Sequence, residues 1–175
     1  IPLLKAFGMT FRLAVKKKGM STTELAREFS VNQKSSWLFK RKAQEAMKSS
    51  GKHPLDSKVE VDELLIGGPE KGKRGRNKGE KKLVVIAVEK LQDNKMGRAY
   101  GEVIEEASGE CFKPFFERHI DNDNAQVFTD GWRGYWPLES EFEIRQRPSN
   151  GGRSFPGLHA VIMNLKGWLR GIHHH

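Results

Sequence analysis

The residues best suited to chemistry in this chain are acids delivered by strands. Val127-Phe128-Thr129 have strand character and hand a carboxylate, Asp130, to the break at Gly131-Trp132. A second such acid lies upstream in Lys58-Val59-Glu60-Val61-Asp62-Glu63, which Ile66-Gly67-Gly68 follows. A strand that ends on Asp before a tight turn holds that acid at the sheet edge, where a metal ion can reach it. One such Asp is most often a turn residue. Two in a strongly basic chain predict metal-dependent chemistry on a polyanion. Phosphoryl transfer by two divalent cations needs oxygen donors from separated elements, because the ions sit about 3.5–4 Å apart and clamp the attacking and leaving oxygens. Mg²⁺ keeps several waters and takes only one or two carboxylates, so Asp62 and Asp130 could supply the bridging and terminal ligands. A third donor is expected from a late helix crossing the sheet. That helix, Leu158 to about Arg170, contains no acid, and its only oxygen-bearing side chain is Asn164.

Composition supports the polyanion. Lys and Arg number 31 against 22 Asp and Glu, a formal charge of +9 in 175 residues, which makes nucleic acid the default partner. A hydrophobic content of 37%, with ten Phe and four Trp, is lean but sufficient for a folded core. No apolar run approaches the roughly 18 residues that span a bilayer, and no charged-then-apolar signal segment opens the chain. The single cysteine, Cys111, excludes an internal disulfide and a cysteine-rich zinc site, and reads as a small buried residue. These features fit a reducing bacterial cytoplasm, in association with the nucleoid. His173-His174-His175 reads as a tag stub or native sequence and carries no metal expectation.

Elements that position these acids can be read along the chain. Residues 10 to 48 are expected to be helical, with a stop at Gly19 after the Lys16-Lys17-Lys18 run. Ser21-Thr22-Thr23-Glu24 matches a capping box and opens a short helix through Leu25, Ala26 and Phe29. After a turn at Ser30-Val31, a longer helix should run from Asn32 to about Met47. That is the helix-turn-helix plan, whose second helix enters the major groove by its N-terminal end. Asn32, Gln33, Lys34 and Ser35 would meet DNA there, and Trp37 and Leu38 would face the core. The expected organisation is a DNA-binding module over residues 1–50, a linker over 51–57 and a catalytic domain over 58–175. Lys71, Lys73, Arg74, Arg76 and Lys78 lie just beyond the first acid, interleaved with glycines that let backbone approach phosphates. Such a run also reads as a solvated loop.

Beyond it the pattern predicts strands over 83–88 and 98–105, a helix from Ser108 to about His119, and a strand over 125–130. A Trp/Tyr-rich turn, a strand Phe142–Arg147 and the final helix follow. Three strands, a helix, a strand, a short helix, a strand and a helix make an α/β mixed sheet with a leading meander. It is the order of the ribonuclease-H-like fold, in which a first-strand acid and a fourth-strand acid converge.

The motifs Val59-Glu60-Val61-Asp62-Glu63 with Ile66-Gly67-Gly68, the following Lys-Gly-Lys-Arg-Gly-Arg segment, and Thr129-Asp130-Gly131-Trp132-Arg133-Gly134-Tyr135 resemble insertion-sequence transposases of the ISXO type. So does the closing stretch with Leu158-His159, Asn164-Leu165-Lys166 and Trp168-Leu169-Arg170-Gly171. The resemblance covers essentially the whole chain and implies an Asp-Asp-Glu-class transposase. Its expected activity is DNA strand cleavage and strand transfer at terminal inverted repeats, with Mg²⁺ or Mn²⁺ as a pair of ions. Double-stranded DNA, as element ends and as target, would be the partner, and the active complex would be a homo-oligomer. On this resemblance Asp62 and Asp130 fall on the first two acids. Asn164 falls on the third, where one branch of the family uses Asn with a nearby Lys, here Lys166. Two residues apart do not share a helix face, so Lys166 reads equally well as solvated. His159 is a candidate for orienting DNA or a ligand, and equally a cap-region histidine. Trp132, Tyr135, Trp136 and Trp168 are expected to pack more than to stack on a base.

Family members often carry an N-terminal cysteine-rich zinc module and continue into a further helical segment. The expectation is therefore a catalytic domain truncated at its C-terminus. A DNA-binding remnant that no longer cuts, and a structure-selective nuclease on the same fold, are the alternatives.

Overall fold

The computed structural model describes residues 1–48, 50–68 and 79–172. The basic positions Lys71, Lys73, Arg74, Arg76 and Lys78, and the terminal histidines, lie outside the described residues. The chain divides into two compact units, Ile1–Ser50 with Met163–His175, and Gly51–Ile162.

In the first unit, α1 (Leu3–Val15), α2 (Thr22–Phe29) and α3 (Gln33–Met47) follow one another. α1 starts well before the expected residue 10 and stops at Val15, ahead of Gly19, where the chain makes a turn closed by Gly19 N–H donating to the Lys16 carbonyl (2.9 Å). The capping box forms: the Glu24 N–H donates to Ser21 Oγ at 3.0 Å. The Glu24 carboxyl is held below its usual value first by a hydrogen bond from Lys16 and also by the Ser21 backbone. α2 ends at Ser30 in the left-handed region (φ 48°), and the Val31 N–H reaches back to the Ala26 carbonyl. Asn32 then caps α3, its Oδ1 accepting the Lys34 N–H at 2.8 Å. Met9, Met20 and Leu25 form the core, with Leu13, Phe29, Val31 and Phe39 against it.

Trp37 and Leu38 do not face this core, contrary to the sequence expectation; both are about half exposed. α3 turns Ser36 and Lys40 inward instead. The reason is backbone polarity: the Ser36 hydroxyl donates to the Thr22 carbonyl and Lys40 Nζ to the Met20 carbonyl (2.7 Å). The buried Met20 carbonyl and the part-buried Thr22 carbonyl therefore recruit polar donors at a face that hydrophobicity alone would give to Trp and Leu.

The second unit is built on a five-stranded sheet of order β3-β2-β1-β4-β5. Its strands are β1 (Leu55–Ile66), β2 (Lys82–Lys90), β3 (Met96–Ile104), β4 (Ile120–Thr129) and β5 (Glu143–Gln146). β1, β2 and β3 form an antiparallel meander, and β4 pairs parallel to both β1 and β5. This mixed sheet with flanking helices is ribonuclease-H-like. β1 and β4 begin earlier than the sequence pattern indicates, at Leu55 rather than residue 58 and at Ile120 rather than 125. The segment Asp121-Asn122-Asp123-Asn124 has turn composition and interrupts the β1–β4 pairing, which jumps from Leu55–Ile120 to Ser57–Ala125, while Asp121 Oδ1 accepts the Asp123 and Asn124 N–H groups.

Successive residues of β1 face opposite sides of the sheet. Val59 and Val61 enter the core with Val127 of β4 and with Phe112, Phe115 and Phe116 of α4 (Gly109–His119). Each fully buried Phe contributes roughly 2–3 kcal/mol of transfer free energy. Glu60 and Asp62 face the other side, where the Leu158 N–H in the first turn of α5 (Pro156–Ile172) donates to Glu60 Oε2 at 3.2 Å. A carboxylate thus meets a helix N-terminus, where free amides and the helix dipole favour it.

Candidate active site

The acids come together through register. β1 and β4 run parallel with Val59 opposite Val127 and Glu60 opposite Phe128. Carrying that register two residues further sets Asp62 level with Asp130, on neighbouring strands spaced about 4.8 Å apart. Asp62 also stands opposite Ile86 of β2, so it occupies the middle of the sheet. Asp130 is the first residue past β4, at the carboxyl end of the strand, where parallel sheets present ligand-binding residues.

Local structure fixes each carboxylate. Asp130 Oδ1 accepts the Trp132 N–H at 3.0 Å, an Asx turn closed over Gly131. Gly131 has φ +84°, a conformation that L side chains rarely adopt. Trp132 is tied down in turn, its Nε1 donating to the Ala107 carbonyl at 2.8 Å. Gly134 lets this happen: a Cβ there would sit 2.6 Å from the Ala107 carbonyl oxygen and 2.8 Å from Trp132 Nε1. Asp62 Oδ1 accepts the N–H of Glu63 at 2.8 Å.

Tyr135 lies in a 3₁₀ helix (Arg133–Leu138) that follows the turn. Its ring is fully buried and stacks on Phe112 at 4.5 Å. Its hydroxyl donates to Glu63 Oε2 at 3.0 Å. Burial pushes the Tyr135 phenol well above its usual value, and the charges of Glu63, Asp62 and Asp130 push it the same way. The hydroxyl therefore sits within the field of three carboxylates. Such a concentration of negative charge at the end of a sheet is what a divalent cation neutralises.

The donor set fits a hard ion. It consists of two carboxylates on neighbouring strands, with no cluster of three or more His, Cys, Asp or Glu in a metal-holding arrangement among the described residues. Mg²⁺ accepts that economy, because it retains water and is completed by substrate oxygens.

A family model of the ISXO2-like transposase domain matches residues 54–175, and so covers the whole sheet, both acids and α5. The chain belongs to this family. A comparison with curated proteins returns no match. Membership makes the chain a transposase-family protein of the Asp-Asp-Glu class, of a kind that uses divalent metals and acts on DNA as part of a mobile element. No described helix of this transposase domain is long and apolar enough to cross a membrane.

The remaining residues expected from the sequence fall in several places. His159 is exposed on α5, its ring over Gly152, where an added Cβ would meet its Cδ2 at 2.9 Å. Asn164 is exposed and Lys166 half-buried on the same helix, in the part that belongs to the first compact unit. Asn32, Gln33, Lys34 and Ser35 are all exposed at the start of α3. Two of these side chains already have structural duties. Asn32 is the helix cap, and Gln33 Nε2 donates to Thr22 Oγ1 at 3.1 Å. Tyr135 packs as expected and Trp132 is half-buried against the core, whereas Trp136 is 54% exposed.

Sequence reasoning overlooked three residues near the candidate site. Glu60 anchors α5, and Glu63 receives the Tyr135 hydroxyl. Arg147 places its guanidinium 4.4 Å from the ring of Phe128. For Glu60 a signal existed, since it precedes Asp62 by two residues and period-two alternation puts both on one face.

Proposed function

We propose that this chain catalyses metal-dependent DNA strand cleavage and strand transfer at the ends of an insertion sequence. The observation that carries the reading is the parallel register that sets Asp62 beside Asp130 in a domain of this family. In the proposed reaction water attacks a phosphodiester, and the freed 3′-hydroxyl then attacks target DNA. Asp62 and Asp130 hold the divalent ions, Mg²⁺ or Mn²⁺, which when bound polarise the phosphate and make water nucleophilic near neutral pH.

The rest of the work falls to the chain. The Asx turn at Asp130 and the Glu63 N–H at Asp62 orient the two carboxylates. The Glu60 contact holds the first turn of α5 on the face that carries Asp62. On the family resemblance, Asn164 supplies a neutral carbonyl oxygen as third ligand and Lys166 stabilises charge on phosphate. An Asn in that role adds no charge and cannot act as a base, so the charged metal ligands are the two aspartates. Residues 1–50 serve as the DNA-reading module, through Lys34, Ser35 and the rest of the α3 N-terminus. The basic segment Lys71–Lys78 and His159 hold the DNA backbone.

Nicking of supercoiled plasmid in Mn²⁺ tests the proposal, with Asp130→Ala as the comparison. Cutting by the parent and not by the variant, with DNA binding kept in both, is the expected result. Binding without cutting by either protein would replace the proposal with a DNA-binding remnant. Cutting without joining of a 3′-end to target would replace it with a nuclease.

A further inference from the structure

The candidate site has a third neighbour across the sheet. β4 pairs parallel to β5 with Phe128 opposite Arg145 and Thr129 opposite Gln146. The pairing continues past the end of β5, because the Arg147 N–H donates to the Thr129 carbonyl at 2.9 Å. Asp62, Asp130 and Arg147 therefore occupy one level on three successive strands. Arg147 lies on the same face as Phe128, since its guanidinium carbon sits 4.4 Å from that ring's centroid. Phe128 is itself opposite Glu60, two residues before Asp62. One face of the sheet thus carries both acids and a cation beside them.

Arg147 is also unlike two other arginines of this unit in its pairing. Arg145 is neutralised by Glu143 and Arg118 by Glu102. Among the described residues no carboxylate pairs with Arg147, which is exposed at the strand end. Contact with the Phe128 ring seats the guanidinium at 4.4 Å, and an arginine so placed has planar N–H donors with which it can fork onto phosphate oxygens. A cation at the edge of an acidic site draws a polyanion toward carboxylates that would otherwise repel it.

We infer that Arg147 is a phosphate-contacting residue of this site, binding the non-bridging oxygens of the DNA phosphodiester presented to Asp62 and Asp130. The inference rests on the proposed function for the identity of the substrate, and its test is separable from that of cleavage.

The test compares the full chain with Arg147→Ala, Arg147→Lys and Arg145→Ala. Affinity for a short fluorescent DNA duplex is measured by anisotropy over a range of salt, with Ca²⁺ present to screen the two aspartates. Each phosphate contact contributes about 0.9 to the slope of log affinity against log salt. Arg147→Ala should lower the slope by about that amount and weaken binding roughly tenfold, the loss of one charge-assisted hydrogen-bonded pair. Arg145→Ala removes the same charge but should leave the slope unchanged. Arg147→Lys should restore the slope and only part of the affinity, because an ammonium lacks the planar fork. An unchanged slope in Arg147→Ala, or equal losses in Arg147→Ala and Arg145→Ala, overturns the inference, even if the parent nicks plasmid. Conversely, a slope lowered in Arg147→Ala beside a parent that never nicks keeps the phosphate contact and removes the cleavage reading.

Discussion

Changing Tyr135 to Phe removes one oxygen atom from a fully buried ring and should be felt at two different pH values. At neutral pH the variant loses the hydrogen bond that the Tyr135 hydroxyl donates to Glu63 at 3.0 Å, while the stack on Phe112 is retained. A hydrogen bond to a charged group contributes about 1.5–3 kcal/mol, and Glu63 is only half-buried, so the lower part of that range applies. A loss of roughly 1.5–2 kcal/mol should lower the melting temperature by roughly 3–8 °C in a chain of this size. At alkaline pH a second effect works against the first. The folded phenol titrates well above 10.0, the value near which an unfolded tyrosine ionises. Above that point the unfolded chain has given up a proton that the folded chain still holds. Parental stability therefore falls with rising pH by about 1.4 kcal/mol per unit until the folded phenol ionises. Tyr135→Phe has no such group, so the gap between the two proteins should narrow above pH 10. Urea unfolding of both proteins, followed by tryptophan fluorescence at pH 7 and across the alkaline range, measures this. A constant gap at all pH values would refute the placement of the Tyr135 hydroxyl among Glu63, Asp62 and Asp130. Equal stability at pH 7 would refute the hydrogen bond itself.

Other consequences are equally specific. Gly134→Ala puts a Cβ against the Ala107 carbonyl and Trp132 Nε1, so it should cost about 2–4 kcal/mol and impair nicking through the displaced Asp130 turn, read by thermal melting and plasmid assay together. Asn32→Ala should cost about 1 kcal/mol through loss of the α3 cap, whereas Asn32→Ser should keep the cap and the melting temperature. Glu60→Ala leaves the Leu158 N–H without its carboxylate, and hydrogen exchange in the first turn of α5 should accelerate while that of β2 stays slow.

The sequence pattern discloses the element order because each element carries its own signal. β2 is a continuous apolar run, α2 opens on a capping box, and Asp130 sits at a strand-to-Gly break. Asp62 and Asp130 stood out as site candidates for the same reason, Asp62 as an acid inside an apolar strand and Asp130 as an acid at a strand end. Glu63 and Arg147 did not, since Glu63 takes its meaning from the hydroxyl of Tyr135, 72 residues away, and Arg147 from parallel register, which leaves no trace in either strand alone. The inward turn of Ser36 and Lys40 escaped for a related reason. Nothing near α3 reveals that the Thr22 and Met20 carbonyls need donors. β4 illustrates the converse, since its Asn- and Asp-rich start, which reads as turn, falls out of register with β1 and regular pairing begins at Ala125, where the sequence pattern puts the strand.

Whether the two aspartates form one metal site is decided most directly by Mn²⁺ binding. Titration followed by electron paramagnetic resonance would compare the parent with Asp62→Ala, Asp130→Ala and the double variant. If Asp62 and Asp130 share an ion, each single substitution should weaken binding by roughly tenfold or more, and the double variant should lose little beyond the worse single one. Independent, additive losses, or binding that survives both substitutions, would contradict the shared site.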